Sequence, residues 1–282
     1  MNLPGSNDEG RQLSTWRRLY WSLRNGDLGP LLEHLKDLWE RLRGRDKFVP
    51  PRHLRLLVDP DPDIAAYVEG AAKFVGRLRA RCKLGPADHV LDVGCGCGRV
   101  AVPLTQILDA RGGYAGFDIH RPMVEWCQQE ITPRFPNFRF EHCDVMNSFY
   151  NPTGRLRPGE YIFPYEAGLF DIVFLGSVFT HMLPTDIAHY VGEIGRVLKP
   201  GGWVVATYFL LRPGVSTTRG TLHFSIEGAG YRTVSAARPE AAIALPESFV
   251  TSLYERYDLR IDQPIEYGFQ DVVIARKAST AT

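Results

Sequence analysis

The sequence predicts an α/β fold: a mainly parallel β-sheet covered by helices on both faces. From about residue 85 onward, short apolar runs alternate with amphipathic helical stretches, the pattern of repeated βαβ units. A glycine-rich turn joins the first apolar run directly to a helix. The last two apolar runs lie close together with no helix between them, so the sheet should end in an antiparallel pair. The 282 residues suffice for one α/β domain of ~250 residues and an appendage.

The appendage comes first. Leu13, Trp16, Leu19, Tyr20 and Leu23 share one face of a short helix that Asn25-Gly26-Asp27 breaks. Leu31, Leu35, Leu38 and Leu42 mark a second helix, widened by Leu32 and Trp39. These helices fall outside the α/β repeat and need an apolar surface to cover: the protein body, a substrate mouth or a second subunit, which would make a homodimer. We place the helical arm at residues 1–50, with a linker at 48–51, and the main domain at 51–282. A helix is expected over 63–82. Strands follow at 90–93, 114–118, 138–141, 172–175 and 203–211, and helices at 98–108, 122–131 and 185–198. A helix over 247–257 leads to runs at 259–265 and 270–275. Residues 147–168 and 212–245 are too long for ordinary connections and are expected to cover a substrate; the first carries Phe149, Tyr150, Tyr161, Phe163 and Tyr165.

Composition narrows the function. Apolar residues make up 44% of the chain and the formal charge is +1, which argues for a packed core and against a polyanionic partner such as nucleic acid. The basic residues near Arg43 alternate with acids, as on a solvated helix face. Five cysteines without zinc spacing point to a reducing compartment rather than to disulfides or a metal centre. The N-terminus lacks a basic start and an apolar core segment, and the longest apolar stretch, 203–211, is too short to span a bilayer. The expectation is a soluble cytoplasmic protein with no membrane partner.

The turn Asp92-Val93-Gly94-Cys95-Gly96-Cys97-Gly98 carries the chemistry. Glycine permits the left-handed backbone such a turn needs and lets a ligand lie on bare main chain. Dinucleotide folds use similar turns but ask for G-x-G-x-x-G or A. Here Arg99 stands at that last position, which disfavours NAD. Asp92, two residues before the first glycine, would repel a pyrophosphate and suits a cationic ligand. Asp118, at the end of the second strand, can take two ribose hydroxyls.

Five stretches together resemble the class I S-adenosylmethionine-dependent methyltransferases: residues 90–99, Gly116-Phe117-Asp118-Ile119, Cys143-Asp144-Val145, 170–174, and Arg196-Val197-Leu198-Lys199-Pro200-Gly201-Gly202. The resemblance covers roughly residues 85–276. It implies a Rossmann-like, doubly wound, mostly parallel seven-stranded sheet with an antiparallel last strand. It also implies that S-adenosylmethionine is the cofactor, lying over Gly94, Gly96 and Gly98. Asp92 would hold its methionine end, Asp118 its ribose, Ile119 its adenine ring, and Asp144 with Val145 the adenine edge. The 199–202 stretch would be a structural turn entering the fifth strand.

The acceptor should sit beyond the ends of the first and fourth strands. His181, just after the fourth strand, can act as a base near neutral pH; His142 is a second candidate, and His120 should border the adenine side. The family's nucleic-acid-base enzymes carry an Asn or Asp, two prolines and an aromatic after the fourth strand, whereas this chain has Gly176-Ser177-Val178-Phe179. The run 177–184 resembles bacterial methyltransferases of glycoside and secondary metabolism. The expected reaction is O-methylation of a small-molecule hydroxyl, such as one on a sugar. N- or C-methylation of another natural product, or a protein or RNA acceptor, stays open. So does Mg²⁺, since no carboxylates show clear ligand spacing.

Overall fold

In a computed structural model of the chain, residues 29–44, 46–59, 63–261 and 263–279 are described. The expected helix within 11–23 lies outside them. The backbone divides into two compact units, with the break between Tyr67 and Val68.

The first unit holds α1 (Gly29–Leu42) and α2 (Arg52–Val58). Sequence reading missed α2 because Pro50-Pro51 looks like a linker. Pro51 instead sits at the helix N-cap, where its lack of an N–H costs nothing. Arg55 is fully buried and paired with Glu40 at 2.9 Å, and it donates to the Pro50 carbonyl at 3.0 Å. On α1, Leu35, Leu38, Trp39 and Leu42 are exposed.

In the second unit the sheet follows from burial. After α3 (Ile64–Cys82), β1 (His89–Val93) is buried over its last four residues. A strand buried on both faces belongs in the middle of a parallel sheet. It lies between β2 (Gly113–Asp118) and β4 (Phe170–Leu175), parallel to both. Beyond β2 comes β3 (Phe138–His142), and beyond β4 comes β5 (Leu198–Leu211). The chain therefore builds outward from β1, returns, and builds the other way. That reversal opens a crevice at the carboxyl ends of β1 and β4. The last strand, β12 (Asp271–Lys277), runs antiparallel to β5 and pairs with β11 (Leu259–Arg260). The expected seven strands are thus present in the order β3-β2-β1-β4-β5-β12-β11.

The sheet is larger than expected, with ten strands. β5 outruns its neighbours: β4 pairs with it only as far as Ala206, and β12 as far as Tyr208. Residues 209–211 would leave ladder groups open, and β10 (Ile243–Pro246) fills them in parallel. β8 (Ile226–Gly228) and β9 (Tyr231–Thr233) continue the sheet from there. The 212–245 segment, expected as a cover, is therefore partly sheet, with β6 (Thr218–Arg219) and β7 (Leu222–His223) forming a separate small hairpin.

Three further boundaries moved for local reasons. The helix expected over 98–108 is regular only at α4 (Ala101–Leu104), because Pro103 has no N–H to close the preceding turn. The run expected over 259–265 pairs for only two residues, and Pro264 cannot donate to a ladder. The 199–202 turn is absorbed into β5 as a bulge between Leu198, opposite Phe170, and Trp203, opposite Ile172. Gly201 takes it at φ +78°.

Helices α5 (Arg121–Glu130), α6 (Pro184–Val197) and α7 (Glu247–Arg256) complete the unit. α6 buries Ile187, Tyr190, Val191, Ile194 and Val197, one helical face packed on the strand core of Val173, Leu175, Val204 and Ala206. All five cysteines are free and buried. No helix among the described residues is long and apolar enough to cross a membrane.

Candidate active site

The glycine turn is built as its residues dictate. Gly94, Gly96 and Gly98 all adopt left-handed backbone, with φ of +77°, +51° and +66°. A Cβ on Gly94 would stand 2.4 Å from Val178 Cγ2, and one on Gly98 would stand 2.8 Å from Ile131 Cδ1. The turn is tied to β2: the amides of Gly94 and Cys95 both donate to the Phe117 carbonyl, at 2.9 and 3.0 Å. Cys95 and Cys97 serve as small buried turn residues, and burial pushes the Cys95 thiol well up.

Two carboxylates flank the turn. Asp92, 3% exposed on β1, accepts a hydrogen bond of 2.6 Å from the Tyr114 hydroxyl. Burial pushes its carboxyl up to about 8; the Tyr114 bond opposes the shift and the Asp118 charge adds to it. A buried carboxylate of that kind is a poor anion in isolation and becomes a good one beside a cation. Asp118 closes β2 and is held through both oxygens. One accepts from the Gly96 amide at 2.8 Å and the other from the His120 amide at 2.7 Å. Burial raises its carboxyl, and those two amides pull the other way.

Past Asp118 lies a cleft of about 420 Å³, lined in part by Ile119, His120, His142, Asp144, Tyr150 and Arg155. Ile119, His120, His142, Asp144 and Tyr150, all singled out from the sequence, therefore meet on one surface. His142 Nε2 donates to the Ile119 carbonyl at 3.2 Å, which puts this histidine on the β2–β3 side. Asp144 accepts from Arg155 Nε at 2.5 Å and Asn151 Nδ2 at 3.3 Å. Arg155 and then Asn151 hold its carboxyl below the usual range. Val145 is buried behind it and bridges to Leu156.

His181 stands on the other side, in the turn after β4. Its Nδ1 lies 2.9 Å from the Glu240 carbonyl oxygen. A carbonyl can only accept, so Nδ1 carries the proton and Nε2 holds the lone pair. Burial lowers the imidazole below its ordinary range and keeps it neutral. The Tyr150 ring, which lines the cleft, meets it edge-on at 5.6 Å. In the same turn Ser177 adopts φ +61°. Its amide donates to Thr207 Oγ1 at 2.7 Å and its hydroxyl bonds Gln270 Oε1 at 3.1 Å.

Several of these groups had no sequence signal. Tyr114 reads as one more apolar residue of a strand, yet it is the partner of Asp92. Glu240, Asn151 and Arg155 lie in segments whose course cannot be read from periodicity. Among the described residues, no group of three or more His, Cys, Asp or Glu could hold a metal ion.

Comparison with known proteins agrees with this fold. Residues 90–202 match the family described as a methyltransferase domain. The chain is 28% identical over 155 residues to 27-O-demethylrifamycin SV methyltransferase of Amycolatopsis mediterranei (strain S699), covering 54% of this chain and 50% of that protein. It spans about half the length of the curated relatives it matches. Two solved structures share the fold. The [4+2]-cyclase SpnF superposes with a TM-score of 0.53 at 15% identity, over 75% of this chain and 82% of that one. A 1,6-didemethyltoxoflavin-N1-methyltransferase of Burkholderia thailandensis, with bound 1,6-didemethyltoxoflavin and S-adenosylhomocysteine, does so with a TM-score of 0.50 at 16% identity, over 99% and 94%. Over residues 90–202 the chain is thus similar to the methyltransferase-domain family, in line with the resemblance to the class I S-adenosylmethionine-dependent methyltransferases carried by its sequence motifs.

Proposed function

We propose that the protein transfers the methyl group of S-adenosylmethionine to a hydroxyl of a small molecule, with a sugar hydroxyl as the narrower reading. The observation that carries the hydroxyl is His181. Burial favours its neutral form, its Nδ1–H bonds the Glu240 carbonyl, and the lone pair of that tautomer lies on Nε2, which would serve as the base. A hydroxyl acceptor must lose its proton as it is methylated, whereas an amine needs only to be neutral.

The residues present fit the cofactor. Bare main chain at the left-handed glycines accommodates its body, and the Asp92 carboxylate suits a cationic methionine end. Asp118, already held by the Gly96 and His120 amides, would use its remaining acceptor capacity on the ribose hydroxyls, and the cleft beside Ile119 would take the adenine. When bound, the cofactor supplies an activated methyl group on a sulfonium, so the chain's own work is alignment, water exclusion and proton removal. Ile119 and His142 line the cleft that would take the adenine, with Asp144 beside them and Val145 buried behind. His181 Nε2 takes the acceptor proton. Tyr150, which lines the cleft and touches the His181 ring, would stand between cofactor and acceptor.

Similarity to a 27-O-demethylrifamycin SV methyltransferase supports the small-molecule hydroxyl, and the near-zero net charge weighs against nucleic acid. Two measurements test the reading. Calorimetric titration should show binding of S-adenosylmethionine and S-adenosylhomocysteine but not NAD. A labelled-methyl transfer assay across glycosides, phenols and amines, with and without Mg²⁺, should show a hydroxyl-bearing acceptor methylated. Transfer to amines alone would overturn the hydroxyl.

A further inference from the structure

Four residues close a hydrogen-bonded ring around the turn after β4. The amide of Ser148 donates to Glu240 Oε2 at 3.2 Å, and the Ser148 hydroxyl donates to the same oxygen. The main-chain carbonyl of Glu240 accepts from His181 Nδ1 at 2.9 Å. The main-chain carbonyl of His181 accepts from Asn147 Nδ2 at 3.4 Å, and Asn147 is bonded covalently to Ser148. Asn147 is itself 7% exposed. Its other side-chain atom, Oδ1, takes the amides of Phe149 and Tyr150, both at 3.0 Å. That turn delivers the Tyr150 ring to the edge of His181. The ring thus gathers three separate parts of the chain: the 147–168 segment, the turn after β4 and the 212–245 segment.

We infer that Glu240 is a positioning residue: its carboxylate anchors Ser148 so that its main-chain carbonyl holds His181 in the Nδ1–H form, with Nε2 kept free to take a proton. The inference rests on the base role proposed for His181, but its geometry is readable without any acceptor. A neutral imidazole has two tautomers, and the hydrogen bond made by one nitrogen decides which is present. The Glu240 carbonyl selects between them only while residues 239–241 stay in place, and the Ser148 contact is the side-chain bond that ties Glu240 to the other segment. The same bond makes the two long segments one wall, so a change in the 212–245 segment is felt at His181 and Tyr150.

The test uses the full chain labelled with ¹⁵N-histidine, with the His181 signal identified by its loss in His181→Gln. Long-range imidazole ¹H–¹⁵N spectra should show wild-type His181 protonated at Nδ1. In Glu240→Ala the signal should move to a mixture of tautomers, and limited proteolysis within 147–168 should accelerate. Glu240→Gln, whose side-chain oxygen still accepts from Ser148, should restore both. Three results would overturn the inference: a wild-type His181 protonated at Nε2, a Glu240→Ala spectrum like wild type, or a Glu240→Gln variant that behaves like Glu240→Ala. Separately, unchanged turnover in His181→Gln would remove the base role while leaving the tautomer result intact.

Discussion

The two halves of the proposed site, one for the cofactor and one for the acceptor, are assembled by different means. On the cofactor half, the decisive contacts are local and run largely through the main chain. Gly96 and Asp92 each meet their partners, Asp118 and Tyr114, 22 residues away, on the neighbouring strand of the same βαβ unit. On the acceptor half, His181 meets Glu240 59 residues away, Ser148 meets Glu240 across 92, and Ser177 meets Gln270 across 93. Those are side-chain contacts between segments that the sheet merely carries. A half built from adjacent strands and glycine dihedrals is fixed by the fold. A half built from long-range side-chain bonds is free to change acceptor while the fold stays the same.

Substitutions on the acceptor half should then slow turnover and spare cofactor affinity. His181→Gln is the largest such effect expected. Loss of a general base costs about 10²–10⁴ in rate, and the cofactor contacts stay untouched. Single-turnover methyl transfer beside a calorimetric Kd for S-adenosylhomocysteine checks both parts. A fall in cofactor affinity as large as the fall in rate would erase the distinction between the halves.

The mirror experiment is Gly94→Ala. The new Cβ would meet Val178 Cγ2 at 2.4 Å on a backbone at φ +77°. A strained non-glycine residue costs of order 1–3 kcal/mol. Cofactor binding should weaken by about tenfold or more, since the turn must shift to relieve the clash. Thermal unfolding with and without S-adenosylhomocysteine would separate lost stability from lost binding.

The same contrast explains what the sequence disclosed. Asp92, the three glycines and Asp118 lie in or beside one strand-turn-helix unit, so their types and spacing already determine where they meet. Tyr114 was hidden because an inward tyrosine on a buried strand looks like any other core aromatic. Glu240 was hidden for another reason. Its segment becomes sheet only because β5 extends past β4 and β12, and no local pattern within 212–245 announces that overhang. His181 was legible as a residue and illegible as a tautomer, which depends on a carbonyl 59 positions away.

The buried carboxylate of the cofactor half predicts a pH dependence. Free Asp92 titrates at about 8, and a cationic ligand favours its ionised form. Below that pH, binding must release the proton, so affinity should rise with pH, by up to about tenfold per unit, and level off above 8. Stability runs the other way. The native carboxyl holds its proton to higher pH than the unfolded chain does, so the cofactor-free protein loses stability as pH climbs from about 4 to about 8. Tyr114→Phe removes the hydrogen bond that favours the ionised form, and should carry the affinity midpoint to higher pH. Calorimetry across pH 6–9 reads the midpoint directly; a flat profile would mean Asp92 does not meet a cation.

The smallest effect belongs to the acceptor half and concerns Ser177. Its φ of +61° is held by Thr207 and Gln270 rather than by glycine. Alanine there would lose the hydroxyl bond and keep the left-handed backbone. Glycine would lose the same bond and shed the Cβ penalty, about 1 kcal/mol for an L-residue in that region. Ser177→Gly should therefore be more stable than Ser177→Ala by about that amount, the reverse of the usual order of the two residues. Both should bind the cofactor as the wild type does. Denaturant unfolding of the pair measures the difference. A more stable alanine variant would mean that Ser177 carries no strain, and the turn bearing His181 would then be held by its backbone, as the cofactor half is.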